Sequence, residues 1–215
     1  MTLRAELETH LQHQLGDAGT ARALAAILLE ETLSWRPPEI APDRIATVLA
    51  FTFGNRMLPN GNREPGPVNQ ALADVAATLH QRSGARVVAQ WEVAAALAGR
   101  VPDALVTAIN PARDARGEPV YLSTGGVLEE IARLAEPRSL GCVGMVAFAD
   151  HLYRCVATAR RLGFDAHAPA GIAMPHVHDP ESGQAWCRDR VSYLLHDLMI
   201  RITERRAAVV GTMWR

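Results

Sequence analysis

Residues 142–163, CVGMVAFADHLYRCVATARRLG, decide the fold class of this chain. The run begins with apolar residues at 143–148, which are typical of a strand buried on both faces of a parallel sheet. It continues through Asp150 and His151 into a helical repeat that ends at Gly163. Open α/β sheets bind ligands where a strand leads into a helix through polar residues. The stretch therefore predicts a parallel α/β protein with a candidate site at this junction.

The sequence on both sides of this stretch repeats the alternation of strands and helices. Further strands are predicted at 45–53, 86–90, 105–109 and 164–168, and helices at 68–79, 93–97, 127–134, 152–162 and 186–202. Strands that alternate with helices pair in parallel through crossover connections. We therefore predict an α/β fold, a three-layer Rossmann-like sandwich with a mainly parallel sheet.

Two further helices are predicted ahead of the first strand. Leucines recur at every fourth residue from Leu3 to Leu15, and a second apolar stripe ends before the proline pair that begins at Pro37. The predicted organisation is an N-terminal helical extension at 1–40 followed by an α/β domain at 41–215.

Composition restricts the classes of function. The chain has 215 residues, 48% of them hydrophobic and 21% charged, which suits one globular α/β domain with a full core. A formal net charge of -1 without a basic stripe argues against nucleic-acid binding. The sequence has no apolar run of roughly 20 residues for a membrane span and no secretory signal, so we expect a cytoplasmic protein. The sequence leaves open whether the protein forms a homo-oligomer.

The three cysteines do not form a disulfide framework or a thiol-only metal site. Cys142, Cys155 and Cys187 are odd in number and contain no CxxC pair. Cys142 and Cys155 are expected to pack as small apolar side chains. A nucleophilic cysteine stays open, although no neighbour in sequence obviously lowers a thiol pKa.

The first candidate junction follows the strand at 45–53. Gly54, Asn55 and Arg56 open a loop rich in Gly, Pro and Asn, in which backbone amides can approach a ligand. Arg56 or Arg63 is suited to hold a carboxylate or phosphate. The alternative is a surface turn, and neither the P-loop nor the GxGxxG spacing is present.

The second junction, Gln90-Trp91-Glu92, places a carboxylate beside an aromatic side chain directly after a strand. An apolar neighbour raises a carboxyl pKa, so Glu92 is a candidate general acid or base. The alternative is that Glu92 only stabilises a helix amino terminus, where the dipole favours negative charge.

The third junction holds Thr124 and Gly125 at the start of a helix, after Ser123. A hydroxyl and unpaired backbone amides at a helix amino terminus form a natural anion site. Ordinary helix capping explains the same residues.

The fourth junction is the pair of His151 and Arg154, which share a helix face because they are three residues apart. Histidine exchanges protons near neutral pH, and arginine holds an anion with fixed geometry. Asp150 points elsewhere on the helix, so it is not expected to form a dyad with His151. The alternative is a solvated helix start.

A histidine-rich segment follows at 174–180. His176, His178 and Asp179 suggest a metal site, because alternation in an extended segment puts both imidazoles on one face. No companion motif supplies further ligands, so we predict a substrate-covering loop and no metal.

The motif order resembles the SanA/YdcF-like family, also called ElyC-type, a domain of unknown function with a Rossmann-like fold. The family's strand, histidine and arginine-containing helix are similar to residues 144–171, GMVAFADHLYRCVATARRLGFDAHAPAG. The resemblance puts His151 and Arg154 in the family's positions and matches Gly54, Glu92 and Thr124 to its glycine turn, acidic residue and helix-opening threonine. It covers residues 45–171 and implies a Rossmann-like fold with a pocket.

The chain departs from that family at two points. Gln90-Trp91-Glu92 replaces the family's Ser-Gly-Gly turn, which alters the shape and polarity of the pocket. Many relatives have membrane spans or act in the envelope, and no such segment is visible here. The family is linked to envelope and polysaccharide metabolism without a settled reaction, so the resemblance implies fold and pocket more than chemistry.

These observations lead to one expected function and one alternative. We expect an enzyme that acts by hydrolysis or group transfer on a small anionic metabolite, with Glu92, His151 and Arg154 as catalytic residues. Gly54, Asn55, Arg56, Thr124 and Gly125 are the expected ligand-binding residues. The alternative is a non-catalytic protein that binds a nucleotide or metabolite, and the sequence does not identify a cofactor.

Overall fold

A computed structural model describes residues 2–117 and 119–213 of the chain, and eight strands lie within them. They are β1 (Glu39–Ile40), β2 (Thr47–Ala50), β3 (Arg56–Met57), β4 (Arg63–Glu64), β5 (Arg86–Gln90), β6 (Val106–Ile109), β7 (Cys142–Val146) and β8 (Asp165–Pro169). Six of these strands form one sheet in the order β1-β8-β7-β2-β5-β6, and every neighbouring pair is parallel. β3 and β4 form a separate antiparallel ribbon.

The helices alternate with the sheet strands. They are α1 (Leu3–Leu15), α2 (Ala18–Ala26), α3 (Gly66–Ser83), α4 (Trp91–Ala96), α5 (Thr124–Leu134), α6 (Ala149–Arg161) and α7 (Arg190–Met213). The crossovers through α3 and α4 step along the sheet in one direction, and those through α5 and α6 step in the other. Right-handed crossovers of opposite direction put the two helix pairs on opposite faces of the sheet. The predicted α/β fold with a Rossmann-like arrangement is confirmed.

The strand order reverses between β2 and β7, which lie at the centre of the sheet. All four residues of β2 are buried, and so are the last four of β7, because these strands have neighbours on both edges and helices over both faces. In such a sheet the carboxyl ends of the two strands leave a crevice at the reversal. The loop after β2 and the start of α6 therefore meet at the position where this fold binds ligands.

The strand β2 is shorter than the strand predicted at 45–53. Its pairing ends at Ala50, and Phe51 N–H donates to the carbonyl of Val146. The next two backbone amides donate to side chains instead: Thr52 N–H to Gln90 Oε1 (2.9 Å) and Phe53 N–H to Asn69 Oδ1 (2.9 Å). These side-chain acceptors end the ladder and turn the chain into the loop.

The last helix differs at its start from the predicted 186–202. Trp186 lies in a short 3-10 turn at Ala185–Cys187, and α7 begins at Arg190. Asp189 caps the amino terminus of α7, because its Oδ1 accepts a hydrogen bond from the backbone N–H of Ser192 at 2.9 Å. The predicted strand at 86–90 is confirmed with the same bounds as β5.

The chain divides into two compact units. One consists of the described parts of Met1–Arg36 and Leu195–Arg215, and the other is Pro37–Leu194, which contains the whole sheet. In the first unit α1 has no buried residue, and Leu3 is 67% exposed, so its leucine stripe does not form a core there. Within the described residues, every helix is too short or too polar to cross a membrane.

Candidate active site

Four buried side chains form a hydrogen-bonded network at the start of α6, called here the α6 network: Thr124, His151, Arg154 and Tyr193. Arg154 donates from Nη1 to Thr124 Oγ1 (2.8 Å) and from Nη2 to His151 Nδ1 (2.9 Å). Tyr193 Oη bonds the same ring nitrogen and lies 3.3 Å from Arg154 Nη2. Each of the four side chains is less than 10% exposed. The predicted junctions of α5 and α6 therefore meet in one network.

The network defines the tautomer of His151. A guanidinium group has only donors, so the nitrogen that faces Arg154 accepts a hydrogen bond and bears no proton. The ring hydrogen is then on Nε2, which lies 3.4 Å from Thr124 Oγ1. An imidazole whose two ring nitrogens are both held by neighbouring side chains is oriented for proton transfer.

Asp150 is turned away from His151, as predicted. Its carboxylate forms a two-bond ion pair with Arg190, with both N···O distances at 2.9 Å. His178 Nε2 lies 3.8 Å from the same carboxylate. Asp150 thus connects the first turn of α6 with the first turn of α7 and with the loop after β8.

Glu92 lies in the first turn of α4 and is only 4% exposed. Its Oε1 accepts from Asn55 Nδ2 at 3.3 Å, whereas its Oε2 is buried and has no hydrogen-bond partner among the described residues. Burial raises the pKa of this carboxyl to about 7, because the charged form loses its hydration. Glu92 therefore exchanges a proton near neutral pH, which suits a general acid or base.

The loop after β2 is held by Asn69, a fully buried residue of α3 that sequence reasoning missed. Its Oδ1 accepts from Phe53 N (2.9 Å) and Thr52 Oγ1 (2.8 Å), and its Nδ2 donates to the carbonyls of Gly54 (2.8 Å) and Pro65 (2.6 Å). One side chain thus satisfies the polar backbone of the turn that carries Asn55.

Aromatic packing connects this loop to the α6 network. The ring of Phe53 stacks on Phe148 with centroids 3.9 Å apart, and it lies 4.7 Å from Tyr193 and 6.5 Å from His151. His178 packs edge-on against Phe53 at 5.6 Å. The apolar wall excludes water from one side of the network and strengthens its polar interactions.

Gly54 occupies a left-handed backbone conformation with φ +70°. A Cβ at this position would lie 2.3 Å from Ser182 Oγ, which is closer than any real contact. The residues that follow Gly54 and Ser182 are also in contact: the Gly183 N–H donates a hydrogen bond to the carbonyl of Asn55 at 2.6 Å. Glycine is therefore required here both for the turn and for the close approach of the 179–188 loop.

We expect Gly54→Ala to lower the free energy of unfolding by about 2–4 kcal/mol, which combines the left-handed penalty with the overlap on Ser182. The measurement is urea unfolding. Gly84→Ala is the matched control, because Gly84 has the same φ of +70° but nothing within 4 Å of an added Cβ. Equal losses in the two variants would contradict the steric explanation.

Arg56 is held by two acidic side chains of the protein. It forms a two-bond ion pair with Asp179 (2.8 and 2.9 Å), and its Nη2 lies 2.8 Å from Glu181. The hydrogen bond from Arg56 lowers the pKa of Asp179 and raises that of Arg56. This ion pair fastens the loop after β8 to the loop after β2.

A groove of about 610 Å³ lies beside this ion pair, with α3 on one side and residues 173–180 on the other. Its walls are mainly apolar, and Arg56, His176, His178 and Asp179 contribute the polar groups near the ion pair. His176 is exposed, whereas His178 points into the aromatic cluster and donates from Nδ1 to the carbonyl of Cys187 at 3.1 Å. Both imidazoles line this groove, within a segment that is not a regular strand.

Gly125 lies in the first turn of α5, and Cys187 is a buried residue of the 3-10 turn ahead of α7. Ser123 caps α5 by accepting from Gly126 N at 3.1 Å, and a Cβ on Gly125 would meet only Ser123 Oγ, at an ordinary 3.8 Å. Burial raises the pKa of Cys187 to about 12, so its thiol is not an activated nucleophile.

The structure brings the predicted site residues into two hydrogen-bonded groups. Thr124, His151 and Arg154 belong to the α6 network, and Asn55 and Glu92 form a pair at the ends of β2 and β5. Tyr193 and Asn69 complete these groups and were missed by the sequence analysis. Tyr193 is a fully buried polar aromatic side chain at the start of an otherwise half-exposed helix, a signal too weak to find without coordinates.

Comparisons with protein-family models, with curated proteins and with solved structures find no match to this chain. The resemblance to the SanA/YdcF-like family therefore stays a prediction, and the site is interpreted from its own geometry.

Proposed function

We propose that this protein is an enzyme that carries out hydrolysis or group transfer on a small anionic metabolite. The observation that carries the proposal is the α6 network, in which an arginine and a single-tautomer histidine lie at the reversal of strand order. That crevice is where open α/β sheets bind their ligands.

Each side chain has a defined task in this proposal. Arg154 binds the anionic group of the substrate, exchanging its contacts with Thr124 and Tyr193 for stronger charge-assisted bonds. The amino terminus of α5, which begins at Thr124, adds backbone amides to the same anion. His151 moves a proton to or from the reacting group.

Glu92 is the second proton-transfer group of the proposal. Its pKa of about 7 supports both protonation states at neutral pH, and Asn55 orients its carboxyl.

One alternative has an observation of its own. The alternative is a protein that binds a metabolite without turnover: the polar side chains of the α6 network bind one another and are less than 10% exposed, so they hold one another in place and a ligand must displace these contacts. A binding protein saturates with ligand, whereas an enzyme also consumes it.

A thermal-shift screen with phosphate, sugar phosphates, nucleotides, amino acids and S-adenosylmethionine tests the proposal first. A ligand at about 100 times its Kd adds about 2.7 kcal/mol, which raises the Tm by roughly 5–10 °C. Arg154→Gln is expected to weaken binding of an anionic hit by about 10- to 100-fold. Arg160→Gln, an exposed arginine on the same helix, is the matched control.

Turnover of the hit separates the two candidate functions. In an enzyme, His151→Ala lowers kcat by about 100-fold or more, because a positioned general acid or base contributes about that factor. Binding without product formation in the wild-type protein supports the alternative. Full activity of both His151→Ala and Glu92→Gln would remove the catalytic proposal.

A further inference from the structure

A second cluster of reactive side chains lies at the amino-terminal ends of the sheet strands, where β7 and β8 begin. Cys142 and Asp165 are the first residues of these strands and pair directly in the parallel register. His167 follows two residues after Asp165, so its side chain emerges on the same face of β8. The three side chains therefore converge at the amino end of the sheet, opposite the α6 network.

The cluster is compact. Each residue offers one possible ligand atom: a thiol sulfur, a carboxylate oxygen or a ring nitrogen. These three atoms all lie within 4.8 Å of one another. His167 Nε2 is 2.8 Å from Asp165 Oδ1, while His167 Nδ1 is buried without a hydrogen-bond partner among the described residues. The imidazole is thus only partly satisfied by the protein, which is uncommon for a buried polar group.

The ligand set selects the kind of metal. Thiolate and imidazole favour Zn²⁺, whereas Mg²⁺ and Ca²⁺ prefer oxygen ligands alone. Neighbouring ligand atoms of a tetrahedral zinc ion are about 3.3–3.7 Å apart, so the Asp165–His167 pair at 2.8 Å must open slightly, while all three ligand atoms already lie within 4.8 Å of one another. Asp165 is exposed and Cys142 is half-buried, so the carboxylate is free to adjust and the thiol can be reached.

We propose that Cys142, Asp165 and His167 form a Zn²⁺ site with three protein ligands. Cys142 binds as the thiolate and releases its proton to solvent, Asp165 and His167 each contribute one ligand atom, and water fills the fourth position. The site is separate from the proposed enzyme activity, which uses the carboxyl-terminal ends of the strands.

Titration of the purified, metal-stripped protein with Co²⁺ and Zn²⁺ tests the site without an activity assay. We expect one Co²⁺ per chain with a thiolate-to-cobalt charge-transfer band, and displacement of that ion by Zn²⁺. Cys142→Ser is expected to remove the band. Asp165→Asn and His167→Gln should weaken binding by more than about 100-fold, beyond the cost of losing an outer-shell partner.

His176→Gln is the matched control, because it tests the other histidine-rich segment. That variant and Cys187→Ser are expected to keep full Co²⁺ affinity and the charge-transfer band. Circular dichroism checks that each variant is folded, and the exposed Asp165 gives a variant with little effect on the core. The proposal is overturned if wild-type protein binds no Co²⁺, if the band persists in Cys142→Ser, or if His176→Gln abolishes binding.

Discussion

Replacement of Asn69 by alanine is expected to lower the free energy of unfolding by about 3–5 kcal/mol. The change deletes four hydrogen bonds and leaves the buried backbone N–H of Phe53 without a partner, while the carbonyl of Gly54 keeps only the 3.2 Å hydrogen bond from Thr52 Oγ1. Each unsatisfied buried group costs about 1–3 kcal/mol, partly relieved where water enters. Urea unfolding, followed by circular dichroism, measures the loss.

Two further variants test whether the loss of stability comes from the hydrogen bonds of the Asn69 amide. Asn69→Asp keeps the size and the acceptor but loses both donors, so we expect a loss as large as that of alanine. Asn60→Ala removes one exposed hydrogen bond, to Asn62 N at 3.0 Å, and should cost less than about 1 kcal/mol. A cost for Asn69→Ala no greater than that of Asn60→Ala would show that the loop does not depend on this amide.

Replacement of Glu92 by glutamine is expected to change how stability depends on pH. The carboxyl has a pKa of about 7 in the folded protein, against an ordinary value of 4.5. Below pH 4.5 both states are protonated and Glu92 carries no penalty. As the pH rises from 4.5 to 7, the unfolded chain gives up this proton while the folded protein keeps it, so the free energy of unfolding of the wild type falls. Above pH 7 this decrease is complete and amounts to roughly 3 kcal/mol.

The glutamine variant lacks this titration because its side chain is neutral at every pH. We therefore expect wild-type and Glu92→Gln proteins to be similar near pH 4.5, and the variant to be more stable by roughly 3 kcal/mol above pH 8. Urea unfolding across this range measures the difference. Glu129→Gln, on the exposed surface of α5, should follow the wild-type profile. Parallel profiles for wild type and Glu92→Gln would contradict a buried, proton-exchanging carboxyl.

Five of the six sheet strands were predicted from their apolar runs, whereas β1 (Glu39–Ile40) has only two residues and lies in the segment expected to be a helical extension. Residues 86–90 match β5 to the residue, and residues 143–148 overlap β7. Helix ends were less predictable: α7 begins four residues after the predicted Trp186, because Asp189 caps it and the 3-10 turn precedes it. Such boundaries depend on single hydrogen bonds and not on periodicity.

The site was only partly predictable for a similar reason. His151 and Arg154 are one helical turn apart, so their contact follows from local geometry. Contacts of Thr124 and Tyr193 with them depend on where α5 and α7 begin, which the hydrophobic pattern does not fix. The ion pairs of Arg56 were not predictable, because its partners Asp179 and Glu181 come from a segment more than a hundred residues away.

Asn69 was detectable in principle. It interrupts an apolar helix face made of Val68, Leu72, Ala73 and Ala76, and a polar residue among such neighbours indicates a buried hydrogen-bonded group. Its partners, in contrast, are backbone atoms of a turn, and a sequence pattern has no signal for these.

The place of β2 in the sheet also bears on how the chain is made. Thr47 pairs with Val143 on one side, so ribosomes must add the whole intervening segment before that edge of β2 is covered. At roughly 5–20 residues per second this takes on the order of 5–20 s. During translation the nascent chain therefore displays a bare apolar strand edge, which is a hazard for aggregation. Slow codons or a stalled ribosome ahead of β7 would prolong that exposure, and chaperones that shield strand edges would shorten it.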